Sequence, residues 1–148
     1  FYDKELQLKP ENIINYQKKN YYDGQWNKKY EVLASHLIGW VNGKDWKSLA
    51  KISANTYDMI FTGTVIEEFK NFKVPVTLII GTRDRTGPGR NWKKAGIVYD
   101  LGRYDLLGKR VKKINNNIRL IELNGLGHLP QIEDFEKFYS ELDKVLLN

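Results

Sequence analysis

Two side chains in this sequence have the types and the setting for paired acid–base work. Asp84 lies in Gly81-Thr82-Arg83-Asp84-Arg85-Thr86-Gly87-Pro88-Gly89-Arg90, and His128 lies in Asn124-Gly125-Leu126-Gly127-His128-Leu129-Pro130. A carboxylate bonded to one imidazole nitrogen fixes the tautomer of the ring. The other nitrogen can then take a proton from a nucleophile and return it to a leaving group. Each residue also has a plainer reading. Asp is common in turns after strands, and a histidine in a Gly-rich turn can bond a nearby backbone carbonyl. Their joint placement favours the acid–base pair. Asp105 is a weaker rival for the acid and falls near the start of a helix.

Other candidates carry less. Arg83, Arg85 and Arg90 could bind an anionic group together with the Gly87-Pro88-Gly89 backbone, but bracing a long loop against local carboxylates is the favoured reading. His36 sits mid-helix beside Leu37, and two histidines far apart make no metal site. The sequence has no cysteine, which excludes disulfides, thiolate metal sites and thiol nucleophiles and leaves the redox compartment open. No metal or organic cofactor is implied.

The elements that must position Asp84 and His128 follow from periodicity. Val76-Thr77-Leu78-Ile79-Ile80 and Ile118-Arg119-Leu120-Ile121-Glu122-Leu123 are β-rich runs ending at glycine or Asn-Gly. The first lacks alternation, which predicts a strand buried on both faces of a parallel sheet. Between them Leu107, Val111 and Ile114 have the spacing of a crossover helix. Phe135, Phe138, Tyr139, Leu142, Val145 and Leu146 form the apolar stripe of a last helix, with Glu133 and Asp134 at its start and Lys144 near its end. The order β-loop-α-β-loop-α predicts an α/β fold. Ligands bind such sheets beyond the carboxyl ends of the strands, where Asp84 and His128 both fall. Neighbouring strands lie about 4.8 Å apart, close enough for the two side chains to meet.

Residues 1–72 read as helical. Pro10-Glu11 starts one helix. Tyr30, Leu33, Leu37 and Val41 line a second that Gly43 ends. Trp46, Leu49, Ala50, Ser53, Tyr57 and Ile60 line a third, closed by Gly63, and Val65–Phe72 adds a short helical turn. Trp40, Trp46, Tyr57 and Phe61 are either core packing or the lining of an apolar pocket.

On these residues a resemblance can be stated. Lys73-Val74-Pro75-Val76-Thr77-Leu78-Ile79-Ile80-Gly81 followed by Asp84 resembles the penultimate strand and acid loop of α/β-hydrolases. Gly125-Leu126-Gly127-His128-Leu129-Pro130-Gln131-Ile132-Glu133 resembles that family's histidine loop and the approach to its final helix. The likeness covers roughly residues 65–146. It implies the C-terminal portion of an α/β-hydrolase fold, with residues 1–64 as part of a helical cap and residues 65–148 as the C-terminal part of the core with its last two parallel strands. It also implies Asp84 as the triad acid and His128 as the base. The expected activity is hydrolysis of small, fairly apolar esters or related acyl compounds.

The family's G-x-S-x-G nucleophile elbow is absent, because Ser35, Ser48, Ser53 and Ser140 all lie in helical segments. The start at Phe1 is accordingly read as a break within the cap, with the nucleophile upstream. In this family the nucleophile can be serine or aspartate, so dehalogenase and epoxide-hydrolase chemistry stay open. A non-catalytic member that binds a ligand or a partner protein is the rival reading. Two parallel strands are too few to stand alone, so the expected partners are the N-terminal half of the same protein, or a second copy, and a small-molecule substrate.

Composition narrows the remaining classes. The net charge of +6 could suit an anionic partner, but the lysines are scattered among asparagines and acids without a recognition motif, which argues against nucleic acid. No apolar run is long enough to span a bilayer.

Overall fold

The computed structural model describes residues 1–90 and 94–147. The chain divides into two compact units, Phe1–Thr64 and Val65–Asn148. The element order is α1 (Tyr2–Leu6), α2 (Pro10–Asn20), α3 (Lys28–Val41) and α4 (Trp46–Thr62), then a 3-10 helix (Ile66–Asn71), β1 (Val76–Gly81), α5 (Tyr104–Lys112), β2 (Ile118–Leu123), α6 (Pro130–Glu133) and α7 (Phe135–Leu146).

The first unit is all helix. Pro10 opens α2, and the Asn12 side chain accepts the Lys9 N–H at 3.0 Å. Asn27 caps α3 by accepting the Tyr30 N–H at 3.1 Å, which satisfies one of the amides a helix start leaves unbonded. Ala34 and Ala50 are wholly buried on α3 and α4, and the larger core residues are Ile13, Tyr22 and Tyr30. Tyr22 and Tyr30 stack with centroids 3.6 Å apart, and Trp26 tilts against both. The stripe read along α4 faces inward for Trp46 to Tyr57, but Ile60 is exposed, as are Trp40 and Phe61. Helix α1, which carries no periodic signal of its own, is a further element. The Trp46 Nε1–H donates to its Glu5 carbonyl at 3.1 Å.

The second unit is α/β. Strands β1 and β2 pair in parallel, in register from Val76 opposite Ile118 to Gly81 opposite Leu123. Side chains alternate across a strand, so Ile80 and Leu120 share one face while Ile79, Ile121 and Leu123 share the other. Helix α5 covers the first face. A Cβ on Gly108 would come within 2.8 Å of both the Ile80 and Leu120 side chains, so this glycine lets the helix lie close. Helix α7 covers the second, with Phe138 and Val145 against Ile121, Leu123 and Leu126. The Asn115 side-chain amide donates to the Phe69 and Phe72 carbonyls at 3.1 and 2.9 Å, and that of Asn117 to Phe72 at 2.8 Å. These bonds tie the segment before β1 to the segment before β2 and fix where the two strands start.

Four expectations need correction. Strand β1 is half-buried along Val76–Ile80 rather than buried on both faces, because the sheet has two strands among the described residues and each is an edge. Glu133 does not begin the last helix. It ends α6, while Asp134 caps α7 by accepting the Lys137 N–H at 3.1 Å. The stripe on α7 is split, since Phe138 and Val145 pack inward while Phe135, Tyr139 and Leu146 are exposed. Ile114 lies just beyond α5. Among the described residues no helix is long and apolar enough to cross a membrane.

Candidate active site

The loops after β1 and β2 are joined through their backbones before any side chain is considered. Thr82 N–H donates to the Leu123 carbonyl at 3.2 Å, and Arg83 N–H to the Leu126 carbonyl at 2.9 Å. The close approach needs Gly81. Any Cβ there would sit well inside van der Waals contact with the Leu126 and Gly127 carbonyl oxygens. Arg83 adds a second tie. Its Nε–H donates to the Gly125 carbonyl at 3.0 Å, and its guanidinium pairs with Glu133. The other carboxylate oxygen of Glu133 accepts the Gly127 N–H at 2.7 Å.

This double fastening sets Asp84 against His128. Asp84 Oδ2 lies 2.8 Å from His128 Nδ1. The other carboxylate oxygen accepts the Thr86 N–H at 2.7 Å, a turn in which an Asp side chain holds the amide two residues on. The Thr86 hydroxyl is also 2.8 Å from His128 Nδ1. Asp84 and Thr86 are both 6% exposed, whereas the His128 side chain is 36% exposed. The acid is therefore enclosed and the ring keeps a face toward the outside.

The electrostatics follow from this geometry. Burial alone would raise the Asp84 pKa, but hydrogen bonds from His128 and Thr86, with the imidazole charge, outweigh it and hold the carboxyl below its ordinary value. An ionised carboxylate only accepts hydrogen bonds, so Nδ1 must carry the proton, shared toward Thr86 Oγ1. In the neutral form of the ring the lone pair is then on Nε2. Tyr104 stands nearby, and burial, together with the Asp84 charge, raises its phenol pKa, so it remains a neutral donor.

The other residues singled out in the sequence have simpler tasks. Asp105 sits in the first turn of α5, gripped by the Arg103 guanidinium at 2.9 and 2.7 Å and 3.3 Å from Arg85. Both of these partners are arginines of its own loop. Arg85 also donates to the Thr82 and Asp84 carbonyls at 3.0 and 2.6 Å, and Arg90 to the Arg85 carbonyl. These arginines brace the loop. His36 packs edge-on against Trp40 on α3. Ser35 and Ser53 bond the Val32 carbonyl and the Glu5 carboxylate, and Ser48 and Ser140 lie within α4 and α7. The hydroxyl beside His128 belongs to Thr86 and faces Nδ1, the nitrogen opposite the one a nucleophile would use. Among the described residues no three His, Asp or Glu side chains gather to hold a metal ion.

Thr86, Tyr104 and the Arg83–Glu133 pair are not evident as site residues in the sequence. For Thr86 a signal exists, because Asp at a turn commonly bonds the amide two residues later. For Arg83 and Glu133, 50 residues apart, none does.

The fold is thus an α/β arrangement with an acid and a histidine on adjacent strand ends. Comparison with known proteins places it further. No family model matches the chain, and no curated protein does. A solved structure matches closely: the crystal structure of a probable hydrolytic enzyme from Pseudomonas aeruginosa PAO1, 36% identical, with a TM-score of 0.91. The alignment covers 97% of this chain and 46% of that one, so the chain spans about half the length of its neighbour.

Proposed function

We propose that this chain is the acid- and histidine-bearing portion of an α/β-hydrolase that cleaves small, fairly apolar esters or related acyl compounds. The observation that carries the reading is the 2.8 Å bond between buried Asp84 and His128 Nδ1 on neighbouring strand ends. The likeness to a probable hydrolytic enzyme supports it. The nucleophile and the oxyanion donors belong to the portion of such an enzyme that this chain does not contain.

In that enzyme His128 Nε2 removes the proton of the nucleophile as it attacks the carbonyl carbon. The imidazolium formed is stabilised by the Asp84 carboxylate, which stays ionised, and the proton then passes to the leaving group. Thr86 N–H keeps the carboxylate turned toward the ring. The Gly81 approach and the Arg83–Glu133 pair hold the two loops at the separation this transfer needs.

The test is hydrolysis of p-nitrophenyl acetate and butyrate by the complete protein. His128→Ala is expected to lower kcat by about 10³-fold or more with little change in folded content. Full activity in that variant would overturn the assignment.

A further inference from the structure

Outside the strand-end site, the helical unit contains a cavity of about 430 Å³, within the size range of small-molecule pockets. All four helices of the unit contribute to its lining. The carboxylate is Glu5, the aromatic walls are Tyr16, Tyr21 and Tyr57, and the aliphatic floor includes Ile13 and Leu37. Glu5 is half-buried. Among the described residues its carboxylate accepts the Ser53 hydroxyl at 3.0 Å, and no cationic side chain pairs with it. Tyr57 lies close enough to feel the Glu5 charge. Burial, and then that charge, push its phenol above the ordinary value, so no second anion forms in the cavity near neutral pH.

One negative charge at the edge of an aromatic and aliphatic enclosure has a definite complement. A protonated amine pairs with the carboxylate and is attracted to the faces of nearby rings, while a flat apolar body fills the remaining volume. From this we infer that the cavity binds a small primary amine carrying an aromatic or comparable apolar group. An anion of the same shape is repelled by Glu5, and a neutral one supplies no charge to pair with its carboxylate. The inference rests on the helical unit alone and is independent of the roles assigned to Asp84 and His128.

Three probes that share a phenethyl group, 2-phenylethylamine, 2-phenylethanol and 3-phenylpropionate, test it on the complete protein. Binding is followed by intrinsic tryptophan fluorescence, to which Trp46 contributes through an indole N–H that bonds the Glu5 carbonyl, and by chemical-shift perturbation. The amine should bind at least about tenfold more tightly than the alcohol, with no saturable binding of the acid. Glu5→Gln should abolish that preference. Equal affinities for all three probes, or no saturation by the amine up to about 10 mM, a Kd near the weak end for such small ligands, would overturn it. Should Glu5→Gln unfold, Tyr16→Leu decides the matter. Tyr16 is on the exposed rim, at 45%, and its loss should weaken the amine several-fold. An unchanged amine affinity there would equally overturn the proposal.

Discussion

The two units of this chain solve the problem of holding side chains in place by different means. In the helical unit order comes from rings and small residues: Tyr22 on Tyr30, Trp26 against both, and Ala34 and Ala50 with no exposed surface. Its contacts are broad and tolerant, and they leave a cavity. In the strand unit the same task falls to directional bonds. Each of Thr82, Arg83, Asp84, Thr86, Gly127, His128 and Glu133 has a named polar partner across or within the two loops. Ring packing defines a space, whereas paired hydrogen bonds fix atoms to a few tenths of an ångström. Proton transfer requires the second.

Substitutions can break this contrast or sharpen it. The largest effect is expected from Asp84→Asn in the complete protein, where an amide in place of the carboxylate favours the wrong ring tautomer and lowers kcat about 10⁴-fold. The same variant tests the pH dependence. The carboxyl pKa of Asp84 is lowered in the fold, so its stabilising contribution is present above the ordinary carboxylate value, about 3.9. It is lost as pH falls through the lower folded value. Asp84→Asn should flatten that part of the acid limb in urea titrations at successive pH values. A limb of unchanged slope would place the acid sensitivity elsewhere.

Next in size is Gly81→Ala, where the new methyl meets two carbonyl oxygens and the loops must separate. A loss of about 3 kcal/mol or more is expected in chemical denaturation. Glu133→Gln removes the charge that pairs with Arg83 while leaving the Gly127 amide an acceptor, and should cost about 1–3 kcal/mol. The smallest effect lies in the other unit and has the opposite sign. Gly39 is inside α3 with nothing near where a Cβ would stand, so Gly39→Ala should stabilise by about 0.5–1 kcal/mol. If Gly81→Ala and Gly39→Ala behaved alike, the distinction between bonded loops and tolerant packing would not hold.

How much of this was legible in the sequence depends on the range of the force involved. The strands Val76–Gly81 and Ile118–Leu123 follow from β-rich runs ending in glycine, and α3 and α4 from local periodicity and their closing glycines. Asp84 and His128 could be singled out because parallel strands bring their carboxyl ends together. What escaped depends on neighbours distant in sequence. The stripe on α7 cannot say which of its residues meet the sheet, and β1 cannot report that its second edge lacks a strand here. Glu133 reads as a helix-start charge until the fold brings Arg83 to it, and α1 is too short for a period to show.

The backbone bonds between the two loops have a kinetic corollary. The amides of Thr82, Arg83 and Gly125 donate across the two loops, to the Leu123 and Leu126 carbonyls and the Thr82 hydroxyl, and lose those acceptors when the acid and histidine loops part. Their exchange with deuterated solvent is therefore a clock for the opening of the site. If the docking is as rigid as its bonds suggest, these three protons should exchange together, at a rate set by one shared opening, whereas amides at the exposed end of α4 should exchange early and independently. A site can thus be timed before any substrate for it is known.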